Sequence, residues 1–290
     1  MHWNVRALRA GTRYRAPQLE ALNARDAMSY ELYKVNTFTN QFYGGNPAGV
    51  VPLDEWLPDE TLQAIAKENG FSETAFFIKN GGNYDLRWFT PACEIDLCGH
   101  ATIATAYILL YEKGAKLEKF SFNTRSGVLT VTSKQGLLTL DMPATDLEPA
   151  ECPQCILDAI GSTTPVESMK ADDYLIVLPD EEIIINLVPD FSKFQQVNAR
   201  GTILTAKSKS QGIDFISRWF GGPDVGVDED PVTGSAHASL VPYWASKLGK
   251  NTLTAIQTSE RRGLLQCENA GNRVKISGSA VLYFKGQLCI

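Results

Sequence analysis

No stretch of this 290-residue sequence is long and apolar enough, at the roughly 18 residues required, to cross a membrane as a helix. Common phosphate and metal signatures are also missing. There is no G-x-G-x-x-G after a first strand, no P-loop lysine and no H-E-x-x-H. These absences disfavour a membrane protein, a dinucleotide or nucleoside triphosphate enzyme and a zinc peptidase. The sequence therefore gives no sign of a nucleotide cofactor or a catalytic zinc.

Basic residues are scarce relative to acidic ones, with 27 Lys and Arg against 33 Asp and Glu. Residues 1–27 hold five arginines against Glu20 and Asp26, a charge of +3, so the remainder of this −6 chain carries −9. An acidic body without a basic stripe disfavours nucleic acid and anionic membranes as partners. We interpret residues 1–27 as a leader outside the fold; a targeting segment is the lesser alternative, because the stretch is Arg-rich but lacks serine.

Cysteine is also sparse, and six residues in this length do not suggest a disulfide scaffold. Without a hydrophobic signal sequence, reduced thiols and a cytoplasmic location are the expectation. Cys152-Pro-Gln-Cys155 has the spacing of half a zinc site, but no second pair completes it. We interpret it as an ordinary loop.

The strongest positive feature is an internal repeat. Three segments recur in order, at offsets of 131, 135 and 136 positions: Arg87-Trp88-Phe89 as Arg218-Trp219-Phe220, Cys98-Gly99-His100-Ala101 as Thr233-Gly234-Ser235-Ala236, and Arg125-Ser126-Gly127 as Arg261-Arg262-Gly263. Chance rarely preserves order and spacing together. The repeat predicts two pseudo-symmetric lobes, 28–145 and 146–279, with a ligand between them.

Hydrophobic periodicity predicts an α/β chain of the α+β type. Each lobe is expected to be a curved, mostly antiparallel sheet wrapped around one buried helix. The buried helices are predicted at 101–111 and 235–248, the second ended by Gly249 and interrupted by Pro242. An amphipathic helix is predicted at 59–69.

One carboxylate occurs in an otherwise apolar strand, Phe71-Ser72-Glu73-Thr74-Ala75-Phe76-Phe77. Alternation places Glu73 on the same face as Phe71 and Phe77, where a charge is costly to bury. A carboxylate in such a place suits a general base or acid. The alternative, a sheet margin where Glu73 reaches water, fits this segment equally well.

Two glycine turns each precede a predicted buried helix. Free N–H groups after Gly99 and Gly234 are suited to an anion, although a lone turn of this kind is usually only a helix cap. As a pair facing across a pseudo-twofold axis, they would hold a carboxylate or a developing enolate without metal. His100 occupies the position that Ser235 occupies in the second copy, which favours a role in handling protons.

Three acids, Asp228-Glu229-Asp230, precede the second turn. We interpret Asp228 and Glu229 as part of a solvated loop. Asp230 lies five residues before Ser235 and is expected at the rim of the same pocket.

These motifs together resemble a known family. The matching stretches are Gly45-Asn46-Pro47-Ala48-Gly49-Val50-Val51, Phe71-Ser72-Glu73-Thr74-Ala75-Phe76, Phe89-Thr90-Pro91, Glu94, Asp96-Leu97-Cys98-Gly99-His100-Ala101-Thr102 and Glu229-Asp230-Pro231-Val232-Thr233-Gly234-Ser235-Ala236. In this order the chain resembles the PhzF-like phenazine-biosynthesis proteins of the diaminopimelate-epimerase-like fold. The resemblance spans about residues 30–288.

The resemblance implies an isomerase that moves a proton on a small carboxylate-bearing molecule. It implies a cleft between two lobes, a final strand at about 280–290 that returns to the first lobe, a homodimer and no cofactor. It gives Glu73 the role of base, with His100, Asp230 and Ser235 binding and polarising the substrate. Around them it places the substrate-binding residues Asn46, Cys98, Gly99, Thr233 and Gly234.

The sequence departs from the epimerases of this fold, which have a cysteine before each turn glycine. Here Cys98 precedes the first turn but Thr233 precedes the second, and threonine is a far poorer base than a thiolate. A two-thiol racemase is therefore disfavoured. The open alternatives are an epimerase or dehydratase that uses Cys98 alone, and a binding module without turnover.

Overall fold

The computed structural model describes residues 29–290, so the predicted leader lies outside the described residues. The strands are β1 (Ser29–Thr37), β2 (Asn46–Leu53), β3 (Glu73–Asn80), β4 (Asn83–Phe89), β5 (Glu94–Ile95), β6 (Lys119–Thr124), β7 (Gly127–Lys134), β8 (Leu137–Pro143), β9 (Glu148–Pro149), β10 (Glu167–Lys170), β11 (Asp173–Val177), β12 (Gly201–Lys207), β13 (Phe215–Gly221), β14 (Glu229–Asp230), β15 (Thr252–Gln257), β16 (Gly263–Asn269), β17 (Arg273–Gly278) and β18 (Ala280–Cys289). The helices are α1 (Asp59–Asn69), α2 (Gly99–Tyr107), α3 (Gln154–Ala159), α4 (Glu181–Ile185), α5 (Phe191–Phe194) and α6 (His237–Leu248).

Strand pairing forms one continuous sheet, and the strands of the two halves follow a matching order outward from its centre. From the central antiparallel pair β8 and β17, one side continues through β7, β6, β4, β3, β2, β1 and β18. The other side continues through β16, β15, β13, β12, β11, β10 and β9. Short strands β5 and β14 pair with β4 and β13.

The sense of pairing repeats as well as the order. The pairs β2–β3 and β11–β12 are parallel, as are β4–β6 and β13–β15, and the remaining pairs are antiparallel. The predicted α+β class is confirmed. The division into lobes at residue 145 stays a prediction. The last strand, β18, pairs with β1 along the whole of β1.

One buried helix lies inside each half, and the two helices share a core. Every residue of α2 from Gly99 to Ala106 is buried, because neither face of this apolar helix meets water. α6 buries His237–Val241, Trp244 and Ala245. Side chains on both helices and on the central strands form one hydrophobic cluster. The outer face of the first half is covered by α1, and that of the second by α3 and α5.

Two predicted helix ends are found where glycine permits a left-handed residue. α1 ends at Gly70 (φ 62°) and α6 at Gly249 (φ 65°), as the glycine positions indicated. The starts differ: α2 begins two residues earlier than predicted. α6 begins two residues later, because His237 N–H and Ala238 N–H first bond to carbonyls three residues back. α2 also ends early, in a π-helical turn at Ile108–Glu112.

The strand that carries Glu73 is more buried than alternation suggested. β3 begins at Glu73, so Phe71 precedes it, and its four following residues are all buried. Ala75 and Phe77 belong to the cluster around α2, whereas Phe76 packs beneath α1. The expectation of one apolar face was therefore incomplete, because β3 lies between β2 and β4 and is covered on both sides.

Candidate active site

A cavity of about 720 Å³ lies between the two halves of the fold. This volume suits a small organic ligand. Eight of the nine residues singled out from the sequence line it: Glu73, Cys98, Gly99, His100, Asp230, Thr233, Gly234 and Ser235. The ninth, Asn46, is fully buried behind the wall and reaches the cavity only through His100 and Asp230.

The two glycine turns touch each other at the centre of this cavity wall. A methyl group on Gly234 would lie 3.3 Å from the Gly99 Cα, and one on Gly99 would lie 3.4 Å from the Gly234 Cα. A side chain at either position would separate the turns. Glycine at both positions thus allows the two helix starts to lie beside the same cavity. Each start has unpaired N–H groups and the positive end of a helix dipole.

Glu73 and His100 face each other across the first turn. Glu73 Oε2 lies 3.1 Å from His100 Nε2, and the Glu73 side chain is only 13% exposed. The two atoms are within reach, but neither completes an aligned hydrogen bond within residues 29–290. A carboxylate at the cavity wall and an imidazole beside it form a pair that can hold or release a proton.

The other ring nitrogen of His100 lies beside Cys98. The Cys98 Sγ is 3.5 Å from His100 Nδ1. Burial alone would lower the pKa of His100, but Cys98 and Glu73 beside the ring raise this pKa well above its ordinary value. Burial, with a smaller contribution from the Glu73 charge, raises the pKa of the Cys98 thiol. Cys98 is therefore favoured as the neutral thiol, and the Glu73 carboxylate is the neighbouring charge that favours a protonated imidazole.

Asp230 is held by hydrogen bonds from both halves. Asn46 Nδ2 donates to Asp230 Oδ1 (2.7 Å), and Thr233 Oγ1 donates to Asp230 Oδ2 (2.6 Å). Gln257 fixes the same loop by donating to the Asp230 carbonyl at 2.7 Å. Burial raises the pKa of Asp230, opposed by His100. The sequence did not point to Gln257, because a single glutamine at a strand end belongs to no motif.

Glu229 corrects one interpretation made from the sequence. It does not belong to a solvated loop, because its side chain is 16% exposed and forms a two-pronged ion pair with Arg218 at 2.7 and 2.8 Å. Arg87 and Glu94 form the same pair in the first half, at 2.7 and 2.8 Å. The repeated arginine thus anchors the strand that precedes each turn.

Arg200 is a cavity residue that no sequence motif identified. Its Nη1 donates to Ser235 Oγ at 2.9 Å, and its Nε donates to Asp173 Oδ1 at 2.9 Å. A second bond joins Nη2 to the other oxygen of Asp173. Trp219 donates to Asp173 at 3.1 Å and lies under the guanidinium.

Three potential metal ligands lie close together around His100. Ligand atoms of Glu73, Cys98 and His100 lie within 4.8 Å of one another. However, Cys98 adjoins Nδ1 and Glu73 adjoins Nε2 of the same ring. An ion takes only one nitrogen of a given imidazole, so an ion held by all three groups would displace one of these two contacts.

Comparisons with known proteins agree with this architecture. Residues 35–286 match the profile of the PhzC-PhzF family, described as phenazine biosynthesis-like protein. A Pseudomonas aeruginosa protein named as an uncharacterized isomerase is 50% identical over 261 residues, covering 90% of this chain and 99% of that protein.

Solved structures give the same result. The crystal structure of a PhzF-family phenazine biosynthesis protein from Enterococcus faecalis superposes with a TM-score of 0.85 at 44% identity, covering 91% of this chain and all of the other. A predicted epimerase from Pseudomonas aeruginosa shares the fold, with a TM-score of 0.69 at 18% identity over 89% of this chain and 99% of the other.

The fold, the cleft and these matches define an isomerase with the diaminopimelate-epimerase-like architecture. The chain belongs to the family of PhzF-type, phenazine biosynthesis-like proteins. Within residues 29–290 no helix is long and apolar enough to cross a membrane.

Proposed function

We propose that the protein moves a proton within a small carboxylate-bearing substrate, and that Glu73 is the single base that removes the proton and returns it. The observation that carries the proposal is the 3.1 Å approach of Glu73 to His100 in a cavity shared by both helix starts. Glu73 first takes the proton from a carbon of the substrate. It then delivers the proton to another carbon as an acid.

The second half of the fold supports one base rather than two. Thr74 pairs with Phe89 and Thr202 with Phe220, so Gly201 is the counterpart of Glu73 in the repeat. A methyl group on Gly201 would lie 2.6 Å from the Phe220 carbonyl oxygen and from the Trp219 ring. No acidic side chain fits there. A second base on the opposite face of the substrate is therefore not provided by this position.

Negative charge that develops on the substrate has matching donors. Removal of a proton beside a carboxylate places charge on the carboxylate oxygens, as in an enolate. The N–H groups that begin at Gly99 and Gly234 are positioned before the reaction and need no reorganisation. His100, whose protonated form is favoured by the Glu73 carboxylate 3.1 Å away, supplies a positive charge nearby.

The test is carbon–hydrogen exchange in deuterated water. The purified chain is incubated with pooled small carboxylates, and deuterium uptake is measured by mass spectrometry. Glu73→Gln should lower the uptake by at least about 100-fold, the usual loss when a general base is removed. A Glu73→Gln variant with wild-type exchange would show that another group is the base.

Glu94 provides the matched control. Its side chain is 12% exposed, against 13% for Glu73, and it lines the same cavity, but Arg87 and Arg125 hold its carboxylate. Glu94→Gln should therefore keep measurable exchange where Glu73→Gln does not. If the wild-type chain binds a carboxylate without exchanging any hydrogen, the chain is a binding module and the proposal fails.

A further inference from the structure

A second polar pair lies opposite Glu73 and His100, on the other half of the cleft. Because Gly201 is the counterpart of Glu73, the residue before it, Arg200, is the counterpart of Ser72. Ser235 follows its turn glycine as His100 follows Gly99. The repeat thus places an acid beside an imidazole on one side, and a guanidinium beside a hydroxyl on the other.

The charge balance of the cavity makes this guanidinium distinctive. Six carboxylates line the wall: Glu73, Glu94, Asp96, Asp172, Asp224 and Asp230. Arg200 is the single Lys or Arg among the lining residues that the structure describes. Glu94 and Asp96 are paired with arginines that lie outside the lining, whereas Arg200 lies in the wall itself. We therefore expect an oxyanion to bind beside Arg200 and the two helix starts.

The Arg200 guanidinium is fixed rather than free to follow a ligand. Asp173, whose side chain is 5% exposed, binds two of its five N–H donors, and Ser235 accepts a third. The Trp219 ring lies 5.6 Å from its centre. Since the two hydrogen bonds that Arg200 donates to Asp173 set the plane of the guanidinium, they also set the direction from which it meets Ser235.

The hydrogen bond to Arg200 decides what Ser235 can offer a ligand. A hydroxyl has one hydrogen to donate, and arginine has no acceptor atom. Ser235 Oγ accepts from Arg200, and no group in residues 29–290 accepts the Ser235 proton. That proton remains available to the cavity. A positively charged donor on its oxygen also makes the hydroxyl a stronger donor.

We propose that Arg200 is a positioning residue that fixes the Ser235 hydroxyl as a donor to the substrate carboxylate, so that the second half selects an oxyanion over a neutral group. The proposal rests on the proposed function for the class of substrate, but not on Glu73 being the base. In this arrangement the carboxylate is held by Ser235 and the adjoining N–H groups. The reacting carbon then faces Glu73.

The test compares two probes of equal shape, acetate and acetamide. Each is titrated into the isotopically labelled chain while the amide signals of Gly234 and Ser235 are followed by NMR. The wild-type chain should bind acetate at least about tenfold more tightly than acetamide, the scale of one charge-assisted hydrogen bond. Arg200→Gln should lower this ratio at least about threefold, because Ser235 loses its charged partner while the N–H groups at the two turns remain.

Three further variants separate positioning from mere stability. Arg200→Gln leaves the buried Asp173 without its main partner, which lowers stability. The double variant Arg200→Gln with Asp173→Asn removes both charges together. It is expected to fold better and to show the same reduced preference for acetate. Arg200→Lys should restore part of the preference, because lysine returns the positive charge but not the planar pair of N–H donors. Arg273→Gln is the control: Arg273 is similarly exposed and paired with Asp141, but does not line the cavity.

The outcomes are distinct from those of the exchange experiment. A wild-type chain that binds acetate and acetamide equally, or an Arg200→Gln variant that keeps the wild-type ratio, would overturn the proposal. Glu73→Gln should retain the preference for acetate even though its exchange is lost. If Glu73→Gln exchanged normally while Arg200→Gln reduced the preference, the base would be misassigned and the role of Arg200 would stand.

Discussion

Cys98 adjoins the reacting pair but is poorly suited to act as the base. Its side chain is 4% exposed, and burial raises the pKa of the thiol, so the thiolate is disfavoured at neutral pH. Cys98 also faces Nδ1 of His100, whereas Glu73 faces Nε2.

We predict that Cys98→Ala keeps the hydrogen exchange of the wild-type chain to within about tenfold, well short of the loss expected for a catalytic base. The measurement is deuterium uptake by the exchanged carboxylate. Cys267→Ala, at a thiol that is equally buried but remote from the cavity, controls for lost packing. A loss as large as that in Glu73→Gln would favour the alternative epimerase or dehydratase that uses Cys98.

At this scale the sequence predicted single site residues where a motif surrounded them. Glu73 and Ser235 occur in short motifs, and the structure brings both to one cavity. Arg200 and Asp173 were missed because their meaning depends on β11 and β12 being paired in a particular register. That register sets Asp173 beside Gly201, and nothing local in the sequence encodes it.

The starts of α2 and α6 show the repeat acting at the scale of an element. In α2, the Thr102 side chain donates to the Cys98 carbonyl at 2.5 Å. In α6, His237 Nδ1 lies 2.8 Å from the Thr233 carbonyl and donates to it in the same way. Each side chain satisfies the carbonyl just before the turn glycine. A histidine thus occupies the position that a threonine occupies in the first half.

The histidine makes this helix start sensitive to acid. His237 is fully buried, and burial lowers its pKa to about 4, from about 6.5 in an unfolded chain. Above pH 6.5 both states are neutral. As the pH falls from 6.5 to about 4, the unfolded chain binds a proton that the folded chain does not, so stability is lost over this window.

We predict that His237→Thr flattens this dependence. Between pH 7.5 and 4.5, the wild-type chain should lose about 3 kcal/mol more unfolding free energy than the variant, given 1.36 kcal/mol per pKa unit. Urea unfolding at the two pH values measures the difference. The smaller side chain lowers stability by a similar amount at both values, which cancels in the comparison. Parallel pH profiles for the two chains would contradict the buried neutral state of His237.

Elements were predicted well where a local signal existed and less well where packing decides. The amphipathic helix predicted at 59–69 is found as α1 with these bounds, and Gly70 ends it. The start of α6 was misplaced because the residues after Gly234 first form a tighter turn, with hydrogen bonds to carbonyls three residues back. Hydrophobic periodicity does not separate such a turn from the first turn of an α-helix.

On the scale of the whole molecule, the repeat and the cleft between the copies were predicted, but the single sheet was not. Strands β8 and β17 pair across the centre and connect two halves that the sequence suggests as separate lobes. Pairing between strands far apart in sequence depends on the assembled fold. The last strand, β18, lies at one end of the sheet and pairs with β1.

The homodimer implied by the resemblance has a candidate surface on β18. Within residues 29–290, no strand pairs with its outer edge. Tyr283 and Phe284 are 45% and 39% exposed, and Tyr43 packs on the edge of Tyr283. A long edge strand with apolar side chains invites pairing. Two copies that pair antiparallel through this edge would form a closed twofold dimer.

We predict that the chain sediments at about twice its 31.9 kDa mass at micromolar concentration. Phe284→Glu should convert it mainly to monomer, because the added charge would be buried without a partner where the two β18 edges meet. Analytical ultracentrifugation measures both. Val188→Glu is the control: Val188 is 89% exposed and lies in the second half of the chain, so this variant should remain dimeric. A monomeric wild-type chain would contradict the predicted dimer. A dimeric Phe284→Glu variant would show that the interface lies on another surface.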